Sequence, residues 1–375
     1  MSTVKTTEPL ITDAFLNFSQ TIKTPKTRSN YIQALKYYMK FSRVENYDDL
    51  LKFSSTPEGL LGIQKNMIMF IEYCKQRKLS YNTIHGYVTG IHHFYEYNDI
   101  SLKWKRINAH LPSREKRIDD RAYTHEEIKK MVDIANLRDK SILLVMASSG
   151  PRVDAVPSLR IKDLAEVDYD GVSIYEIRYY RLSNDEYRGY CTPEAKKAIY
   201  DYLRWRKQCG ERITENSPLF RKEFSRRDDM KLANAEPITK ASINHIVVEL
   251  LDRSAVRPRQ RMTPEELQRG LNAKRTEIQM NHAFRKFTIS TMIRARLEPN
   301  AIRLLVGQEL EGMDSHYDRR EQSELLEEYC KAIDCLAIDP TFRMSQEIQT
   351  LKVEKGKMEQ VMERINKLED KILNQ

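Results

Sequence analysis

Val172-Ser-Ile-Tyr-Glu-Ile-Arg-Tyr-Tyr180-Arg-Leu-Ser-Asn-Asp-Glu-Tyr187-Arg-Gly-Tyr-Cys191-Thr-Pro-Glu194 is the stretch on which the fold class turns. β-Branched and aromatic residues fill 172–180 and 187–191, and the polar run Leu182-Ser-Asn-Asp185 separates them, which reads as strand, turn, strand. Thr192 then caps a helix whose first position is Pro193, where a missing N–H costs nothing. Nearly everything on either side has helical spacing. The expected class is therefore mainly α with a small antiparallel β-sheet.

Upstream of the hairpin, Thr124-His-Glu-Glu127 is a capping box, in which threonine and glutamate satisfy free backbone N–H groups at a helix start. The apolar positions of 141–148 suggest a second helix, and Thr263-Pro-Glu-Glu266 repeats a helix start further on. These elements define an α-rich domain over 123–338. Before it, Leu111-Pro-Ser-Arg-Glu-Lys-Arg-Ile-Asp-Asp-Arg121 is polar and aperiodic, so 111–122 reads as a linker. Residues 1–110 carry three apolar stripes at helical spacing: Tyr31, Leu35, Tyr38 and Met39; Ile63, Met67, Phe70, Ile71 and Cys74; Ile84, Tyr87, Val88, Ile91, Phe94 and Tyr95. That is a helical bundle. In the last segment, 339–375, Leu351, Met358, Ile365 and Ile372 recur every seven residues with Val361 and Leu368 between them. This predicts a C-terminal amphipathic, coiled-coil-like helix, with Glu354 at one seam position.

The 375 residues carry 63 Lys and Arg against 54 Asp and Glu, a formal charge of +9. A positive excess suits a phosphate-binding partner such as double-stranded DNA, although a solvated basic surface has the same composition. Lys26, Thr27 and Arg28 in the bundle, and Arg114, Lys116 and Arg117 in the linker, are candidate backbone contacts. Arg257, Arg259, Arg261 and the run 221–227 are further ones. No apolar stretch is long enough for a membrane span and none resembles a signal core, so the expectation is a cytoplasmic, DNA-associated protein. The five cysteines form no Cys-x-x-Cys pair, which argues against a zinc site or a disulfide framework.

Four segments of the 123–338 domain carry the chemistry. They are Ala147-Ser-Ser-Gly150-Pro-Arg152-Val-Asp154-Ala155, with Leu159 and Asp163 following; Met280-Asn-His282-Ala-Phe-Arg285-Lys286; Leu304-Leu-Val-Gly307-Gln308; and Asp314-Ser-His316-Tyr317. Each has an ordinary explanation alone, because His-x-x-Arg arises by chance in helices and the chain holds 20 tyrosines. In this order and spacing, over roughly 124–332, they resemble the tyrosine recombinase (phage integrase) family. The hairpin text is most similar to its archaeal branch. The resemblance implies a helical core-binding (SAM-like) domain followed by a catalytic domain, and strand exchange through a covalent phosphotyrosine link.

In that reading Arg152 and Arg285 clamp the phosphate, His282 assists proton transfer, and Tyr317, nine residues after Gln308, is the nucleophile. No cofactor is implied. Four copies on two duplexes are, and residues 321–338 would dock into a neighbouring copy. The biological role would be integration or excision of a mobile element, with dimer resolution or a catalytically weakened DNA-binding relative as alternatives.

Three positions depart from the family pattern. Arg181 stands where the hairpin usually has a lysine acid, and an arginine with a pKa above about 12 is a poor proton donor. Lys286 or water would then supply the proton. Ala155 stands where a carboxylate is usual, with Asp154 next to it, and Gln308 replaces a histidine or tryptophan.

Overall fold

The computed structural model describes residues 13–114, 120–225, 229–257, 278–310 and 320–341, together with Met358 and Met362. The chain divides into two compact units, Met1–Arg117 and Ile118–Gln375.

The first unit is helical. It contains α1 (Asp13–Gln20), α2 (Pro25–Ser42), a 3-10 turn at Asp48–Leu51, α3 (Pro57–Gln76), α4 (Tyr81–Glu96) and α5 (Trp104–Asn108). Thr24, Thr56 and Ser80 cap α2, α3 and α4 by accepting the backbone N–H three residues on. Pro25 and Pro57 occupy the first turns of their helices. The three stripes meet in one core in which Leu35, Met67, Phe70, Ile71, Ile84, Ile91 and Phe94 are fully buried. Gly90 lets α4 run against α2, since a Cβ there would lie 3.1 Å from the Tyr31 Cα.

The second unit is built around α7 (Leu137–Ser149), every residue of which from Ser141 onward is buried. α6 (His125–Ile134) precedes it and opens on the expected capping box of Thr124 and Glu127. Arg121 reinforces that box with a bidentate pair to Glu127 at 2.8 and 2.7 Å. The sheet has three antiparallel strands in the order β1 (Leu164–Tyr169), β2 (Val172–Tyr179), β3 (Tyr187–Cys191). β1 lies beyond the two strands read from the sequence. Its turn, Asp170-Gly171, has both residues at positive φ (49° and 79°), the geometry a two-residue hairpin requires. Around the sheet and α7 stand α8 (Pro193–Gln208), α9 (Asp229–Ala233), α10 (Lys240–Arg253), α11 (Met280–Arg294), α12 (Pro299–Leu305), α13 (Gln322–Cys330) and α14 (Ile333–Leu336). Thr192 caps α8 with Pro193 in its first turn.

Residues 321–338, expected to dock into a neighbouring copy, pack within their own unit in this single chain. Tyr329, Ala332, Ile333, Leu336 and Ile338 are buried in the core of their own unit. The Tyr329 hydroxyl donates to the Ser148 carbonyl (3.1 Å), and the Ile338 N–H donates to Glu194 (2.7 Å). The apolar faces of α13 and α14 are therefore already covered. The helix start at 263–266 lies outside the described residues. So does the heptad segment, apart from Met358 and Met362, which are helical and exposed. Among the described residues no helix is long and apolar enough to cross a membrane.

Candidate active site

The site forms where the C-terminus of α7, the first turns of α11 and the turn after α12 come together. α7 ends on Gly150 in the left-handed region (φ 60°), where a Cβ would meet the Thr288 side chain at 2.9 Å. Glycine there lets the chain turn sharply into Pro151 and Arg152 while α11 packs close behind. α12 ends similarly at Gly307 (φ 64°), whose absent Cβ leaves room for the Tyr187 ring, 2.4 Å from where it would sit.

Arg285 reaches from α11 into this junction and is only 6% exposed. Its Nη1 donates to the Gly150 carbonyl (2.8 Å) and to the Val306 carbonyl (2.7 Å). Arg152 approaches the same turn from the exposed side, with Nη1 donating to the Gly307 carbonyl at 2.7 Å. Two guanidiniums are thus docked on adjacent carbonyls of one turn. Burial presses the Arg285 pKa below its ordinary value; the Tyr187 phenol, the next largest influence, pulls the other way, and the charge of Arg152 adds to the lowering. Among the described residues neither guanidinium has a carboxylate partner. Asp154, the acidic residue nearest in sequence, pairs with Lys240 at 2.6 Å. The Asp154 alternative for orienting Arg152 is therefore replaced by the Gly307 carbonyl, and Ala155 is fully buried. Two cations fixed by neutral carbonyls, with no carboxylate partner among the described residues, make a receptor for an anion with several oxygens.

The other expected residues fall as follows. His282 lies exposed on the first turn of α11, three residues before Arg285. Gln308 follows the Gly307 turn with its side chain exposed and its N–H bound to the Arg303 carbonyl (2.8 Å). Arg181 sits in the hairpin turn between Tyr180 and Leu182, both at positive φ. Its guanidinium binds the Lys162 carbonyl (3.1 Å) and Asp163 (3.4 Å). Lys286 is held by Asp120 through an ion pair and a bond to its carbonyl. Tyr317 and His316 lie outside the described residues, as do Lys116 and Arg117.

In the first unit Lys26 is exposed at the start of α2, the Thr27 hydroxyl is bonded to Thr24, and Arg28 donates to the Ile22 carbonyl (3.1 Å). Arg114 lies over the Tyr81 ring at 5.2 Å. Arg221 is removed from the candidate surface contacts. It is buried and paired with Glu211 at 2.6 Å. Arg257 is tied to the Ile278 carbonyl (2.7 Å), and Arg259 and Arg261 lie outside the described residues.

Tyr187 is a site residue that sequence reading missed. Its hydroxyl is buried beside Arg285, with its ring against Gly307. The spacing of a strand start carries no signal for such a contact.

No family model matches the sequence, and no curated protein matches it. Solved structures do. The post-cleavage complex of the XerH site-specific recombinase bound to palindromic difH substrate matches with a TM-score of 0.52 at 13% identity, covering 80% of this chain and 78% of that one. The pre-cleavage XerH–difH complex matches with a TM-score of 0.50, the same identity and the same coverage. A lambda integrase dimer bound to a COC′ core site gives 0.49 at 12% identity, over 82% of this chain and 94% of that one. The likeness to the two XerH complexes shows that the chain shares the fold of that site-specific recombinase.

Proposed function

We propose that this chain is a tyrosine site-specific recombinase that cuts and rejoins double-stranded DNA through a 3′-phosphotyrosine link. The observation that carries the reading is the pair Arg152 and Arg285, both docked on the Val306-Gly307 turn without a described carboxylate partner. The scissile phosphate supplies the missing negative charge. Its non-bridging oxygens gain charge as the Tyr317 oxygen bonds to phosphorus, and guanidiniums already in place stabilise that state without reorganising. His282, on the exposed face of the same helix, takes the Tyr317 proton. The P–O5′ bond breaks and the leaving 5′-oxygen takes up the proton that His282 received, relayed by water, since Lys286 is occupied by Asp120. Attack by a 5′-hydroxyl of the second strand reverses the step and frees Tyr317.

The proposal extends to four copies on two duplexes, and to integration or excision of a mobile element. The heptad pattern of 351–372 supports the element-borne role, as an added segment for contact between copies.

Incubation with a nicked duplex that traps the intermediate tests the chemistry. A denaturation-resistant protein–DNA adduct is expected, absent in Tyr317→Phe and reduced on the order of 100-fold or more in Arg152→Ala and Arg285→Ala. DNA binding with no adduct on any site sequence would leave a DNA-binding protein and overturn the enzyme.

A further inference from the structure

Arg285 has two terminal nitrogens and the structure employs one. Nη1 holds two carbonyls, whereas Nη2 is buried without a hydrogen bond among the described residues. The Tyr187 hydroxyl is also buried and also without one. Leaving a buried polar group unmade costs about 1–3 kcal/mol, so two such groups side by side in one site call for a common explanation.

The ring that carries the hydroxyl is well fixed. Tyr187 stacks on the fully buried Tyr179, centroids 4.9 Å apart at 20°. Its other neighbour is Gly307, where even a methyl group would overlap the ring. Tyr179 is itself anchored by its hydroxyl donating to Ser149 at 3.0 Å. The phenol oxygen therefore cannot swing away from Arg285. Burial raises the Tyr187 pKa, and the charges of Arg285 and Arg152 work against that rise, so both guanidiniums act on the phenol oxygen.

We propose that Tyr187 is a positioning residue for Arg285, its hydroxyl taking the Nη2 hydrogen and fixing the plane of the guanidinium when phosphate occupies the site. The two groups already interact, each shifting the other's pKa through a side-chain bond that falls short of full hydrogen-bond geometry, and such bonds tighten in the reacting complex. With Nη1 on two carbonyls and Nη2 on Tyr187, the fork loses its remaining rotation. The Nε edge is then presented to the phosphate together with Arg152. The inference rests on the phosphate reading of the site.

Tyr187→Phe tests it, because the ring stays against Gly307 and Tyr179 and only the hydroxyl is lost. On the trapping duplex the rate of adduct formation is expected to fall about 10- to 100-fold, the worth of a hydrogen bond to a charged group, while overall DNA affinity, spread over many phosphate contacts, changes little. In an Arg285→Ala background the same substitution is expected to change nothing further, because the hydroxyl acts through that arginine. Undiminished cleavage by Tyr187→Phe, or an equal loss in both backgrounds, overturns the proposal.

A second arm covers the case in which the wild-type protein forms no adduct and the recombinase reading fails. Inorganic phosphate is titrated calorimetrically into the full chain, with Arg285→Ala giving the background from other basic residues. Weaker phosphate binding by Tyr187→Phe keeps Tyr187 in its positioning role, and equal binding removes it.

Discussion

At the residue scale the site depends on what is missing at Gly307. Its φ of 64° and the Tyr187 ring 2.4 Å from its virtual Cβ impose two separate constraints. Left-handed backbone costs an L-residue about 1–2 kcal/mol, and forcing the ring back costs a further 1–3 or so. Gly307→Ala is therefore expected to lose roughly 2–5 kcal/mol in urea unfolding. It should also lose adduct formation while still folded, because the displaced turn carries the carbonyls that hold Arg152 and Arg285. Wild-type stability in this variant would mean that the ring moves freely, and would weaken the case for Tyr187 as a fixed support. Of this candidate site, Arg152, His282, Arg285 and Gln308 were expected from their order and spacing in the sequence. The sequence did not make Tyr187 or the Gly307 carbonyl legible, because a contact between a strand start and a turn 120 residues later leaves no periodic trace.

At the element scale, helices were legible where one face is apolar. The stripes of α2, α3 and α4 supply most of the buried residues of those helices, with Tyr31 and Tyr87 at their half-buried edges. β1 was harder to read, since Leu164-Ala-Glu-Val-Asp-Tyr169 carries two acids and is fully buried at none of its positions. Its usable signal was Asp170-Gly171 in the turn. The long-range clamp on α8 gave no signal at all. Arg206, fully buried near the end of that helix, donates to the Pro218 and Leu219 carbonyls and pairs with Glu211, which also holds Arg221. Burial would raise the Glu211 carboxyl, but the two guanidiniums outweigh it and hold the pKa below the usual value. A carboxylate whose folded pKa is depressed contributes stability above its unfolded pKa of about 4.3, and that stability is lost as pH falls through the folded value. Glu211→Gln removes the carboxylate that two buried guanidiniums share and is expected to cost about 3–5 kcal/mol at pH 7. The gap between variant and wild type should narrow as pH falls below about 4, followed by urea titrations from pH 7 down to the lowest pH at which both fold. A gap independent of pH would show that the loss comes from packing and not from charge.

At the scale of the whole molecule the question is whether the excess of nine positive charges works on a phosphate backbone. Arg206 and Arg221 are spent internally on Glu211, and Lys240 and Lys286 are paired with Asp154 and Asp120. Exposed cations such as Lys26 therefore have to supply the electrostatic grip. Each phosphate neutralised releases condensed counterions, so log affinity should fall linearly with log salt with a slope near −0.9 per contact on duplex DNA. With about six contacts, binding is expected to weaken roughly a thousandfold between about 50 and 200 mM salt, measured by fluorescence anisotropy on labelled duplex. Lys26→Ala should flatten that slope by about one contact and weaken binding evenly across sequences, because a phosphate contact carries no base information. Affinity indifferent to salt would mean that the positive excess lies on faces that never meet nucleic acid. The two guanidiniums on the Val306-Gly307 turn would then need a different anion to explain them.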